Sequence, residues 1–207
     1  MAIQAIITCD IVNSTKITVA KEKKLIATLH SIFQSHTIEF FRGDSFQAHV
    51  KNPAEALVLA LQSRAAAIAM FKELKEPITD VRISIGLGAV KLPIKALNTA
   101  KGEAFLLSGR VFDEMVKSTQ RLAITINNPL AQQGLQVICD FINTIFEKIT
   151  GKQAEVILEL LKGQSQLAIV KKTKKTKSTI HQLAAAGQWH SIEKLIQNYV
   201  NIITLIA

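Results

Sequence analysis

Apolar and polar positions change period several times along the chain, and each change marks an element. Residues 2–11 form a β-rich apolar run closed by the turn-prone Asn13, Ser14 and Thr15, after which Leu25, Leu29, Ile32 and Phe33 recur at helical spacing. Residues 38–42 predict a second strand, Gly43-Asp44 a turn, and Phe46, Ala48 and Val50, alternating with polar neighbours, a third. Pro53 opens an Ala/Leu-rich helix extending towards Phe71, and Val81, Ile83, Ile85 and Leu87 then alternate with Arg82, Ser84, Gly86 and Gly88 as a fourth strand. The order β-α-β-β-α-β is the split βαβ, or ferredoxin-like, pattern of an α+β fold, with two helices over one face of an antiparallel sheet. A helix over 103–117 and a strand over 121–126 extend it. Asn128-Pro129 then reads as an N-cap and first helical position of a connecting helix, whose Ile138, Phe141, Ile142, Ile145 and Ile149 lead to Gly151.

Beyond Gly151 the periodicity stays helical while the composition shifts. Residues 151–207 carry eight lysines against three glutamates, more than half of the net charge of +9. They divide into helices over 152–162, 165–172 and 177–186 and a last amphipathic stretch of Ile192, Leu195, Ile196, Tyr199, Ile202, Ile203 and Ile206. Three units are expected: an α+β domain over 1–128, a connecting helix over 129–150 and a small all-α domain over 151–207. With 48% hydrophobic residues in 207, the chain can bury a sizeable core, which excludes disorder. The positive charge favours polyanionic partners: nucleic acid, nucleotides or an acidic membrane surface. Cys9 and Cys139 make no disulfide framework and no zinc spacing, and a reducing cytoplasm is expected. The N-terminus has no signal-peptide pattern, and no run of about 18 apolar residues predicts a membrane span.

Asp10 ends the first strand and Asp44 lies at the hairpin turn. The first and third strands of a split βαβ sheet are neighbours, so the two carboxylates are expected to converge at one edge. Carboxylates about 4–6 Å apart raise one pKa unless a cation lies between them, and a hard Mg²⁺ is the natural one. The alternative is that Asp10 caps the following turn and Asp44 fills an ordinary turn position. The histidines, His30, His36, His49, His181 and His190, are scattered, and no serine or cysteine has the context of a nucleophile.

The segments Cys9-Asp10-Ile11-Val12-Asn13-Ser14-Thr15, Arg42-Gly43-Asp44-Ser45-Phe46-Gln47-Ala48, Arg82-Ile83-Ser84-Ile85-Gly86-Leu87-Gly88 and Gly102-Glu103-Ala104-Phe105-Leu106-Leu107-Ser108-Gly109-Arg110 together resemble the SatD family of bacterial proteins. The resemblance covers most of residues 1–126, and the first part of that family is similar in turn to the class III nucleotidyl cyclase fold. It implies that Asp10 and Asp44, with the carbonyl of Ile11, hold Mg²⁺ or Mn²⁺. It implies also that the amides of Asn13, Ser14 and Thr15, leading into a helix, receive the phosphates of a nucleoside triphosphate. Arg110 matches the transition-state arginine; its other reading is a surface arginine. Leu106 replaces the asparagine that orients the ribose, and an apolar group makes no such hydrogen bond. The purine-reading position before Arg42 falls in Phe40-Phe41. A degenerate or nucleotide-sensing module is the more economical reading, so an enzyme is not the first expectation.

In the basic unit, Gly163, the hydroxyl cap Ser165, Val170, a turn, Lys177 and Ile180 follow helix-turn-helix spacing. Lys174 takes the turn position where glycine is usual, at the expense of any left-handed backbone there. Lys171, Lys172, Lys174, Lys175 and Lys177 place five ammonium groups in seven residues. Taken alone they form a solvated face. Within helix-turn-helix spacing they read as phosphate contacts, with Thr176, Ser178, His181 and Gln182 for groove edges. Trp189 and the stripe after it are expected to pack as core, with dimerisation as the alternative, and Lys101 and Arg121 read first as surface charge, with contact to phosphate as the alternative. The expected function is a DNA-binding transcriptional regulator, dimeric and acting on double-stranded DNA, with a nucleotide-sensing cyclase-like domain. The alternatives are a metal-dependent cyclase or phosphoryl-transfer enzyme using Asp10, Asp44 and Arg110, and a module whose lysines bind RNA or a protein.

Overall fold

The computed structural model describes residues 2–41, 43–74 and 77–206. Strands β1 (Gln4–Val12), β2 (Thr37–Phe41), β3 (Ser45–Val50), β4 (Asp80–Gly88) and β5 (Leu122–Ile126) form one sheet in the order β2-β3-β1-β4-β5. The first four are antiparallel neighbours in the split βαβ order, and β5 adds in parallel to β4. The mixed α+β fold of the sequence reading is therefore observed. Arg42 of the hairpin motif lies outside the described residues.

Alternation along β1 separates the two faces of the sheet. Ala5, Ile7, Cys9 and Ile11 enter the main core beneath α1 (Val19–Ile32) and α2 (Ala56–Ala69). Ile6 packs with Val90 and Ala104, and Thr8 donates to the Ser108 hydroxyl at 3.1 Å, both under α3 (Glu103–Met115) on the opposite face. Asp10 shares that face by alternation. Gly86 lets α3 press close, because a Cβ there would overlap the Ala104 carbonyl and the Ser108 amide.

Apolar residues surround α2 because it is covered on both sides, by the sheet and by α5 (Gly151–Leu161). The exception is Arg64, 1% exposed, which donates to Asp80 at 2.7 Å and to Asn143 at 3.2 Å and lies over the Phe146 ring. The helix α4 (Pro129–Lys148) starts where expected, with the Asn128 side chain accepting from the Ala131 amide and proline at the first position. It covers the open edge of β5 with two side-chain amides. Gln132 bonds the Ile126 N–H and the Ile124 carbonyl, and Asn143 bonds both groups of Leu122. An edge strand left bare would be a template for unwanted pairing.

The remaining helices are α5, α6 (Gln166–Thr173), α7 (Lys177–Ala186) and α8 (Trp189–Ile206). Val156, Ile169, Ile180 and Ala184 form a small core of their own, with Ile169 rather than Val170 fully buried in α6. Ile157 and Leu161 of α5 and Ile192, Tyr199 and Ile203 of α8 belong to the main core shared with the sheet. The Tyr199 hydroxyl donates to the Pro53 carbonyl at 2.6 Å. No helix among the described residues is long and apolar enough to cross a membrane.

Candidate functional site

The carboxylate corner lies where β1 ends. Asp10 pairs across the sheet with Ser45 of β3 and Arg82 of β4, while the Ile11 amide donates to the Asp44 carbonyl at 3.0 Å, fixing the hairpin turn beside the strand end. The two aspartates thus stand at one edge, as the topology requires. Arg82 holds Asp10 in an ion pair at 2.8 Å, with side chains 11% and 23% exposed respectively. The other Asp10 oxygen, Oδ1, is buried with no hydrogen-bond partner among the described residues. Burial raises the Asp10 pKa and the nearby Asp44 carboxylate adds to the rise, while Arg82 and Arg121 oppose it. Asp44 accepts from the hydroxyls of Ser14 at 2.8 Å and Ser45 at 3.3 Å.

Of the residues expected to hold Mg²⁺ or Mn²⁺, Asp10 is held by Arg82 through Oδ2 and keeps Oδ1 without a partner, and both Asp44 oxygens accept hydroxyls. Asn13, Ser14 and Thr15 do not lead directly into a helix. Asn13 takes a left-handed conformation, Ser14–Lys16 make one 3₁₀ turn, and α1 starts only at Val19, capped by Thr18. Two contacts distant in sequence hold this turn, the Asn13 side chain donating to the Ile78 carbonyl and the Ser14 hydroxyl to Asp44. Arg110 is exposed on α3, one turn beyond Leu106, which is 60% exposed. Cys9 is buried and its thiol pKa is pushed well up, which leaves it chemically inert.

The second candidate surface is on α6 and α7. Ser165 and Thr176 cap the two helices, accepting from the amides of Ala168 and Thr179. Lys174 adopts the left-handed conformation (φ 56°, ψ 23°) in the connecting turn, and its amide closes α6 on the Val170 carbonyl. Thr176, Lys177, Ser178, His181 and Gln182 are all exposed, while Ile180 and Ala184 of the same helix are buried. The lysines divide into two groups. Lys172 pairs with Glu159 and Lys175 with Glu155, each at 2.7 Å, whereas Lys171, Lys174 and Lys177 are exposed and meet no carboxylate among the described residues. Glu159 also holds Lys162, and Glu155 also holds Lys72 from the turn after α2. Burial works against these carboxylates, but the lysine hydrogen bonds outweigh it and keep both pKa values below the ordinary one.

No protein-family model matches the chain, and none of the curated proteins does. Among solved structures it is similar to a bacterial light-regulated adenylyl cyclase, with 18% identity over 60% of this chain and 76% of that one, at a TM-score of 0.40. It is similar also to the active GGEEF domain of a diguanylate cyclase from Vibrio cholerae (16% identity, 61% and 85% covered, TM-score 0.43) and to the guanylyl cyclase Cya2 (14%, 54% and 70%, TM-score 0.36). These neighbours are nucleotidyl cyclases. Likeness of this degree concerns the arrangement of sheet and helices, and the chemistry rests on the side chains.

Sequence reasoning missed two arginines. Arg82 was treated only as a polar position of a strand, yet the antiparallel pairing of the first and fourth strands places it opposite Asp10. Arg64 carries a plainer signal, the lone charge in an Ala/Leu-rich helical run.

Proposed function

We propose that this chain is a DNA-binding transcriptional regulator in which α6 and α7 form a helix-turn-helix and the α+β part serves as a sensing and pairing module rather than a cyclase. The observation that carries the reading is the face of α7. Four polar side chains, Thr176, Ser178, His181 and Gln182, stand exposed on a helix held by Ile169, Ile180, Ala184 and Val156, beside three lysines that meet no carboxylate among the described residues. Lysines next to a polar helix start suit phosphate contacts flanking groove-edge contacts, the division of labour in double-stranded DNA recognition. Two copies would present two such helices to a palindromic site. The occupied Asp10, the exposed Leu106 and the short turn at Asn13–Thr15 favour recognition over turnover in the α+β part.

The test is selection of duplexes from a random library with the full chain, followed by fluorescence anisotropy at matched salt. His181→Ala and Gln182→Ala are expected to change the selected sequence, and Lys177→Ala to weaken all duplexes alike. Failure of the parent to retain any duplex at low salt overturns the reading.

A further inference from the structure

At the end of the sheet where β1 finishes and β4 and β5 begin, three guanidinium groups meet two carboxylates. Arg64 takes Asp80 through contacts at 2.7 and 3.2 Å, and Arg82 takes Asp10 at 2.8 Å. The third, Arg121, stands beside Arg82 across the β4–β5 pair, as the pairing of Ile83 with Leu122 requires. It is partly buried, and among the described residues its guanidinium reaches only the Gln120 carbonyl, at 3.4 Å. It opens on a cavity of about 730 Å³ between α2, α4 and the strand ends, with Asn13, Thr119 and Thr144 on the wall. That volume lies within the range that small-molecule sites occupy.

We propose that this cavity binds a phosphate-bearing small molecule, with the phosphoryl group held by the Arg121 fork. A planar guanidinium without a carboxylate matches two phosphate oxygens in bidentate fashion. Asn13, Thr119 and Thr144 supply neutral hydrogen-bonding groups around it. Asp140 and Glu147 on the α4 wall confine the anionic end to the Arg121 side and would accept hydroxyl or amine donors from whatever the phosphate is attached to. Without a ligand the charge of Arg121 is disfavoured first by burial and then by Arg82 and Arg64, a net effect that Asp80, on the cavity wall, and Asp10 offset only in part. A site kept strained in this way for an anion trades stability for binding. The cavity takes nothing from α7 or Asp44, so it is distinct from the DNA-binding surface, while it adjoins the Asp10–Asp44 corner through Asn13 and the Arg82–Asp10 pair.

The full chain is titrated with inorganic phosphate and with AMP by calorimetry in phosphate-free buffer. One equivalent per chain is expected to bind saturably. Arg121→Gln should weaken it about ten- to a hundredfold, as loss of a charge-assisted contact does, while the unliganded variant melts no lower than the parent. Thr144→Trp keeps Arg121 and narrows the cavity from an exposed position, so it should weaken binding even if Arg121→Gln folds badly. A variant with Lys171, Lys174 and Lys177 replaced by Ala should bind phosphate as the parent does. AMP binding more tightly than phosphate supports a nucleotide-like occupant, and equal affinities support the free ion. Absence of saturable binding to the parent, or equal binding by Arg121→Gln or Thr144→Trp, overturns the proposal.

Discussion

If α6 and α7 grip DNA, the salt dependence of binding must count only the lysines that the fold leaves free. Lys171, Lys174 and Lys177 meet no carboxylate among the described residues, whereas Lys172, exposed as well, and Lys175 point into Glu159 and Glu155. Each phosphate neutralised contributes about −0.9 to the slope of log affinity against log salt, so three contacts give about −2.7 per helical unit. Between 50 and 200 mM salt this slope corresponds to an affinity loss of about fortyfold. Replacing Lys174 by Ala should bring the slope to about −1.8, which reduces that loss to about twelvefold. Replacing Lys175 by Ala should leave the slope as it was and instead loosen the attachment of the turn to α5. The assay is anisotropy of a labelled mixed-sequence duplex at several salt concentrations, for the parent and each single variant. A fall in slope for Lys172→Ala or Lys175→Ala equal to that for Lys174→Ala refutes the division of the lysines.

Three other outcomes follow from geometry already described. Lys174→Gly relieves a left-handed lysine at φ 56° and should raise stability by about 0.5–1 kcal/mol, read as a higher urea midpoint; an unchanged midpoint counts against strain at the turn. Gly86→Ala drives a methyl into the Ala104 carbonyl and should destabilise by about 1–3 kcal/mol, and a parent-like urea midpoint would mean that α3 does not lie where described. Glu155 and Glu159 have folded pKa values below their unfolded ones, so their contribution to stability is present above about pH 4.3 and disappears as pH falls through the folded values. Melting temperature should therefore drop on acidification from pH 5 to 3 less steeply in Glu155→Gln than in the parent, and parallel curves would contradict the pairing.

The sheet was legible because its strands alternate cleanly: Phe46, Ala48 and Val50 on one side of β3, and Val81, Ile83, Ile85 and Leu87 on β4, carry the period of a half-buried strand. Helix starts with a hydroxyl or amide cap, at Asn128 and Ser165, were legible for the same local reason, since the cap and its amide are three residues apart, whereas Thr176, read as a groove-edge contact, caps α7 in the same way. What escaped was non-local. The parallel placement of β5 depends on amides from Gln132 and Asn143, eleven positions apart on α4. The fate of Lys172 and Lys175 depends on glutamates of α5, and that of Asp10 on Arg82 three strands later in the chain. Arg121, read as surface charge, is partly buried because β5 docks beside β4. At the corner, residue types announced the convergence of Asp10 and Asp44 but not the guanidinium beside them.

The helices after residue 150 and the sheet share one hydrophobic core, through Ile157 and Leu161 on one side of the main core and Ile192, Tyr199 and Ile203 on another. A cut at the compositional boundary would strip the outer cover from α2 and leave those five side chains facing water. The basic C-terminal quarter is therefore not a cassette that could be traded between unrelated partners by recombination at Gly151. Substitutions at those five positions must be accommodated by the sheet and α2.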